Sequence, residues 1–503
     1  MCHPTNTVLS LQQAIPNSCP AKSLPPSQRL QIGLQALAGS QTITNLAEEF
    51  QVSRKFVYCQ SDIASQALSE AFTPQQADDQ VLFYLPVTKQ WLHQFILALA
   101  LICHSPLRGI VELLGDVFDY PMALGTVFNV LRAAVPRAQA HNQAQDLRPI
   151  RVGGHDEIFQ AGQPVLVGVD LQSTYCYLLS REQHCDGDTW GVRLLELQER
   201  GLAPDHFVAD AGYALRAGQQ LAFPGVPCDS DHFHLSQEWT KIAVILDNRA
   251  YTALSKCAAL ERKIARAKRR GQRISSQLKL LHAKKNQAQA ITLADDFALL
   301  GRWLRVDVLG LAGPCHADRL ALYDFVVAEV QARIPQAANL LEPFVKYLQG
   351  QRDDLLAFSA RLDGHFQALA AKFAVPVEVV RELFAVQTLP LHRSRRWRRD
   401  ALLRRRLGAR YFPLSQALEQ VRRQTFRASS LVENLNSRLR SYFFLRRQIG
   451  NEYLTLLQFY FNHHRYLRSE HPERRGKSPV ELLTGQSHPH WLELLGYKRF
   501  SRN

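Results

Sequence analysis

The stretch IRVGGHDEIFQAGQPVLVGVDLQSTYCYLLS, residues 150–180, decides the fold. Its runs IRVGGHDEIF, PVLVGVD and TYCYLLS are short and rich in β-branched and aromatic residues, and Gln-Ala-Gly-Gln and Leu-Gln-Ser mark the turns between them. Three consecutive strands are expected there. Downstream, GDTWGVRLLELQERG (187–201) has helical spacing, HFVADAG (206–212) is a buried strand, and a second helix starts at Tyr213. From about 233 to 425 the pattern is almost entirely helical, as it is upstream of 150.

Acids punctuate this frame. Asp156 lies in the first strand, and Asp210 ends HFVAD, where Ala211-Gly212 leaves room for close backbone approach. Glu433 lies in SSLVENLNSRLR, where Ser429 or Ser430 caps a helix and the Glu occupies its first turn, near the positive end of the dipole. Arg440 follows seven residues later on nearly the same face, positioned for a phosphate. Cutting DNA without a covalent protein intermediate requires an in-line nucleophile and relief of charge on the phosphate. Two Mg²⁺ ions about 3.5–4 Å apart can supply both. Such ions need hard oxygen ligands, and mutually repelling carboxylates must be held on rigid strands and a helix. Other readings stand beside this one. Asp156 could end a strand beside a turn, with Asp170 as its substitute, although Asp170 reads better as the turn itself; Asp210 could cap the next helix; and Glu433 could cap its own. Glu238 and Glu261 lack the helix-opening Ser and the downstream Arg.

With these residues in view, the chain resembles a transposase of a bacterial insertion sequence, in the Asp-Asp-Glu superfamily that includes retroviral integrases. There the first Asp is often followed by Glu and an aromatic, as in Asp156-Glu157-Ile158-Phe159; the second precedes Gly; and the Glu opens a helix with a basic residue seven positions on. The segment FNHHRYLRSEHPERRGKSPVELLTG (461–485) is similar to transposase C-termini, with a basic stretch before a Ser-Pro helix start. The resemblance covers 150–235 and 425–485. It implies a ribonuclease H-like core, Mg²⁺ (two ions, Mn²⁺ able to substitute) held by Asp156, Asp210 and Glu433, DNA cleavage and strand transfer, and a homodimer or higher oligomer on DNA. Simple members separate the second Asp from the Glu by a few tens of residues. Here Glu433 comes 223 positions after Asp210, as in branches with a large insertion. A metal nuclease of the same fold and a non-catalytic DNA-binding regulator are the alternatives.

The remaining features fit a DNA-handling chain. Sixty Lys and Arg against 45 Asp and Glu leave a net charge of +15, which favours a polyanionic partner. Nine cysteines at irregular spacing form no disulfide framework. The start lacks a secretory pattern, and WLHQFILALALIC (91–103) is too short to span a bilayer, so a cytoplasmic, nucleoid-associated protein is expected.

The expected organisation is a tail (1–28), a helical DNA-binding module (29–145), a first core part (146–235), a basic helical insertion (236–425) and a completing segment (426–503). TITNLAEEFQVSRKFVY (42–58) resembles a helix-turn-helix: Thr44 caps a helix with Leu46, Ala47 and Phe50 inside, Gln51 and Val52 turn, and Ser53 caps a second helix over 53–60. Arg54, Lys55 and Tyr58 would then meet DNA, and an ordinary helical hairpin is the other reading. The pair at 105–134, with its second helix from Met122, serves either DNA or packing. Leu260, Ile264, Ala267, Gly271, Ile274, Leu278 and Leu281 have coiled-coil spacing, unless Gly271 bends a hairpin, and the outside is basic from Arg262 to Arg273. RSRRWRRDALLRRRLGAR (393–410) is a second basic cluster, with Arg395, Arg396, Arg398 and Arg399 expected on phosphates. Cys228, Asp231, His232 and His234 are metal-capable types without zinc spacing, and Asp231 resembles an acid that assists the metal site after a fifth strand.

Overall fold

The computed structural model describes residues 21, 24–73, 83, 85–210, 212–272, 277–427, 429–446 and 449–500, so the first 20 residues of the expected tail, Ala211, Arg273 and Ile274 lie outside it. The chain divides into two compact units, Met1–Pro86 and Val87–Asn503.

In the first unit, helices α1 (Pro26–Leu37), α2 (Ile43–Glu49) and α3 (Arg54–Phe72) enclose Ile32, Leu46, Ala47 and Val57. The cap of α2 is Thr42, not Thr44: its hydroxyl accepts from Asn45 N at 3.2 Å, two residues earlier than the spacing suggested. Gln51 adopts φ 54°, the left-handed conformation a glycine takes more easily. Ser53 caps α3 through Phe56 N at 3.2 Å. That helix runs to Phe72, well past residue 60. Arg54, Lys55 and Tyr58 are exposed on it.

The second unit is built on one mixed five-stranded sheet amid helices. Strands β1 (Val152–Gln160), β2 (Gln163–Asp170) and β3 (Cys176–Arg181) are antiparallel, and β4 (His206–Ala209) and β5 (Cys228–Ser230) run parallel to β1, in the order β3-β2-β1-β4-β5. The period of two sends Val165, Val167 and Val169 to one face and Leu166 to the other, and helices cover both. Trp190 and Leu194 of α7 (Gly187–Glu199) and Leu215 of α8 (Tyr213–Ala222) lie on the Leu166 face. On the valine face, residues of α4 (Lys89–Leu101), α5 (Leu107–Phe118) and α6 (Leu124–Ala144) share a core with the C-terminal helices. Packing is therefore the role observed for the 105–134 pair, whose apolar faces join the sheet rather than a module ending at 145. Its second helix starts at Leu124, two residues after Met122, because Asp119 turns left-handed at φ 47° and the chain needs Tyr120–Ala123 to recover.

The insertion begins with α9 (His232–Arg269), which ends in a left-handed turn at Gly271 (φ 66°) and is followed by α10 (Gln277–Trp303). A hairpin replaces the expected coiled-coil seam: Glu261 meets Lys284 across it at 3.1 Å, and Leu278 and Leu281 are exposed. Helices α11 (His316–Ala332), α12 (Ala338–Gly350), α13 (Arg352–Phe373), α14 (Val377–Thr388), α15 (Ser394–Leu407) and α16 (Tyr411–Gln424) complete two apolar clusters. The chain then returns to where it left: His232 N donates to Arg427 O at 3.0 Å and Ser429 N to Asp231 Oδ1 at 3.1 Å. Helices α17 (Ser430–Leu445) and α18 (Asn451–His463) follow, then α19 (Pro479–Thr484), opened by a Ser478–Glu481 capping box, and α20 (Trp491–Leu494). Among the described residues no helix is long and apolar enough to cross a membrane.

Candidate metal centre

Three side chains converge at the meeting of β1, α9 and α17. One ligand atom each from Asp156, His234 and Glu433 lies within 4.8 Å of the others, the only such group of His, Cys and acids among the described residues. Alternation along β1 aims Asp156 at the valine face, like Gly154. A Cβ on Gly154 would stand 2.8 Å from Val432 Cγ2, so glycine is what allows α17, and with it Glu433, to lie this close to the strand. Asp156 Oδ2 accepts from Asn436 Nδ2 at 2.7 Å, and Oδ1 from Glu157 N at 2.9 Å. Burial and the neighbouring Glu433 push the Asp156 carboxyl up to about 7.

Asp210 is close but apart from this group. The β1–β4 ladder ends at His155 and Ala209, so Asp156 and Asp210 come next on adjacent parallel strands. Asp210 Oδ1 accepts from Gly212 N at 2.7 Å, which ties it into the turn before α8. That helix has Gly212 at its cap position, without a side-chain cap bond. Burial and the charge of Asp210 raise the Glu157 carboxyl, and Glu157 Oε2 is buried with no hydrogen-bond partner among the described residues.

Glu433 occupies the first turn of α17, as expected, but Ser429 does not cap that helix. Its hydroxyl donates to Asp231 instead. Asp231, a wholly buried side chain, also accepts from Phe233 N at 2.7 Å and His234 Nδ1 at 2.8 Å. Burial opposes its charge, yet the bonds from His234, Ser429 and Phe233 hold its carboxyl below the usual range. The bond to Asp231 in turn raises the His234 imidazole to about 9 against the effect of burial, helped by Asp231, Asp156 and Asp210. One carboxylate thus fastens both ends of the insertion and aims His234 Nε2 at Glu433 Oε1, 3.8 Å away. His234 was visible in the sequence only as part of a poor zinc pattern; of the other members Asp231 orients it, whereas His232 Nε2 meets Leu355 O at 2.8 Å.

The donor set suits a hard divalent cation. A buried carboxylate repelled by a half-buried one, a third beside them and an unpartnered Glu157 oxygen make a site short of positive charge. His234 lends the cluster some of that charge as imidazolium, and as neutral imidazole it would offer Nε2 as a ligand.

The expected phosphate contacts differ among themselves. Arg440 is exposed, and its Nη1 is 3.7 Å from Glu433 Oε2. Arg395 and Arg398 are exposed on α15, with no ion pair among the described residues. Arg396 instead donates to Gln387 O at 3.0 Å and to Leu389 O, and Arg399 pairs with Glu382 at 3.3 Å, so these two hold α15 against α14.

No family model matches the chain, and no curated protein matches it. Among solved structures it is similar to the Drosophila P element transposase strand transfer complex, at 14% identity over 77% of this chain and 98% of that chain, with a TM-score of 0.32.

Proposed function

We propose that the chain is a DNA transposase of the Asp-Asp-Glu type from a bacterial insertion sequence, with a ribonuclease H-like core, a helix-turn-helix in its N-terminal unit, and Asp156, Asp210 and Glu433 as metal ligands. One observation carries the reading. Although the insertion places it 223 positions beyond Asp210, Glu433 returns to within ligand range of Asp156 on the central strand of a mixed sheet, with Asp210 just past the end of the neighbouring parallel strand. The order of three antiparallel strands, helix, parallel strand and helix supports the same reading.

Bound Mg²⁺, or Mn²⁺ in its place, would supply Lewis acidity to the phosphodiester and to the attacking oxygen. The residues do the rest. Asp156, Asp210 and Glu433 would hold the ions. Asp231 fixes α17 and the His234 ring. Arg440, on the exposed rim beside Glu433, would draw a backbone phosphate toward the carboxylates. Exposed Arg54, Lys55 and Tyr58 would read or grip the element's end, and Arg395 and Arg398 would hold phosphates without reading bases. A homodimer or larger assembly on two ends follows from the same reading.

The test is DNA processing by the purified protein, scored separately for hydrolysis and for strand joining. Joined product that requires metal and vanishes in Asp156→Asn supports a transposase. Hydrolysis without joining would make the chain a nuclease, and neither product would leave it a DNA-binding protein.

A further inference from the structure

A second site lies on another face of the Glu433 helix. A cavity of about 280 Å³ opens between α17, the β2–β3 turn and the segment 466–474. Its floor is apolar, from Leu431, Leu435 and Phe461, and its polar wall holds Asn434, Tyr466 and three arginines, Arg438, Arg468 and Arg474. Among the described residues none of the three arginines is ion-paired, although 25 ion pairs occur elsewhere and the chain carries 45 acids. The acid nearest in sequence, Glu473, is taken by Arg423 at 3.9 Å and His471 at 3.6 Å.

The wall is built rather than loose. Arg438 lies over the Phe461 ring, 4.2 Å from its centroid, and Tyr466 OH meets Thr174 Oγ1 at 2.6 Å. Tyr466 N donates to Lys477 O at 2.9 Å and Gly476 N to Tyr466 O at 2.8 Å, which closes the 466–477 loop beside the cavity. Guanidinium groups without carboxylate partners, an amide and a phenol over an apolar floor make a receptor for an anion with planar or tetrahedral oxygens.

Helix geometry relates this cavity to the metal centre. Arg438 is five residues on from Glu433, about 140° round the helix, whereas Arg440 is about 20° from it. Between the two faces the helix carries Asn434, Ser437 and Ser441, small and uncharged. An anionic polymer could pass over that ridge without meeting a like charge.

We propose that the cavity is a phosphodiester subsite. Arg438 and Arg474, with Asn434, hold a backbone phosphate of the same DNA whose reacting bond lies at Asp156 and Glu433. The proposal rests on the DNA-processing reading and adds a phosphate-binding position to it.

The experiment measures binding of the full-length protein to a labelled DNA duplex over a series of salt concentrations. Wild type is compared with Arg438→Gln, Arg474→Gln, the double variant and Arg438→Lys. Each Gln variant is expected to flatten the plot of log affinity against log salt by up to about 0.9 for each phosphate no longer neutralised, with Arg438→Lys close to wild type. Arg474 does not stack on the core, so its variant reports even where removal of the guanidinium from the Phe461 ring weakens folding. Unchanged slopes in proteins that melt like wild type overturn the subsite. Calorimetry with inorganic pyrophosphate separates the sources: pyrophosphate binding abolished in the Gln variants beside an unchanged DNA slope would assign the cavity to a free phosphate and overturn the DNA subsite. Asp156→Asn serves as the parallel control for the enzymatic reading. If wild type cuts no DNA with metal while the Gln variants still flatten the slope, the subsite stands and the enzymatic reading fails.

Discussion

Replacing Asp231 by Ala should loosen both the start of α9 and the start of α17, although the two lie nearly 200 residues apart in the chain. The side chain is wholly buried and accepts from Phe233 N, Ser429 N, Ser429 Oγ and His234 Nδ1. His234 and Phe233 are partly exposed and can turn to water, whereas Ser429 is fully buried and its two donors cannot. A buried donor left unmatched costs about 1–3 kcal/mol, and loss of a helix cap about 1 kcal/mol. Recovery of the carboxylate's own desolvation offsets part of this, which leaves a local loss of roughly 3–4 kcal/mol. Hydrogen exchange read by mass spectrometry over peptides covering 229–236 and 429–436 measures it directly. Protection in both should fall by about two to three orders of magnitude, since a tenfold change corresponds to about 1.4 kcal/mol. Ser429→Ala, which removes one bond and leaves no buried donor unmatched, should cost about 1 kcal/mol. Protection of 429–436 within about twofold of wild type in Asp231→Ala would refute the idea that this carboxylate holds α17 in place.

Gly154→Ala forces a Cβ against Leu171 and Val432; it should destabilise by about 1–3 kcal/mol and cut divalent-ion affinity by moving Glu433 off the strand, and unchanged calorimetric titration with Mn²⁺ would argue against that role for glycine. Burial pushes His155 down to about 3 and His232 and His463 to about 4, so each is held neutral in the fold while the unfolded chain titrates near 6.5. Their contribution is complete above pH 6.5 and is lost as pH falls from there toward 4, at up to about 1.4 kcal/mol per pH unit for each histidine. The pH slope of urea unfolding should therefore be shallower in His463→Gln by up to that amount, and an identical slope would contradict the assignment. Arg395→Gln with Arg398→Gln should weaken DNA binding without lowering the melting temperature, while Arg396→Gln with Arg399→Gln should lower the melting temperature by removing the bonds to Gln387, Leu389 and Glu382. Equal effects of the two pairs on both readouts would erase that division.

What could be seen in the sequence was local. The three strands at 150–180, the helices at 187 and 213, the Ser53 cap and the Ser478-Pro479 helix start all rest on residues a few positions apart, and the structure has each of them. Asp156 and Glu433 could be singled out because a strand and a helix start each leave a short signature. Asp231 stood out only through the family resemblance, and its contacts could not be read at all. Asp231 meets Ser429 only because the insertion leaves and re-enters the core at one point, and no spacing along the chain encodes that. His234 stood in a cluster of metal-capable residues without zinc spacing, and its actual partners are Asp231 and Glu433. Arginine content likewise marked 393–410 as basic, but only the fold separates Arg396 and Arg399, which brace α15, from Arg395 and Arg398, which face outward. The hairpin at Gly271 was one of two readings, and the left-handed φ of that residue selects it.

The proposed role of Asp156, Asp210 and Glu433 is to form a metal centre that processes DNA. Incubating the protein with a supercoiled plasmid carrying the DNA that flanks its coding sequence, with and without Mg²⁺ or Mn²⁺, tests it most directly. Metal-dependent cleavage and joined products are expected from wild type, and none from Glu433→Gln, which should still bind the plasmid. Cleavage by Glu433→Gln at a rate close to wild type would contradict it.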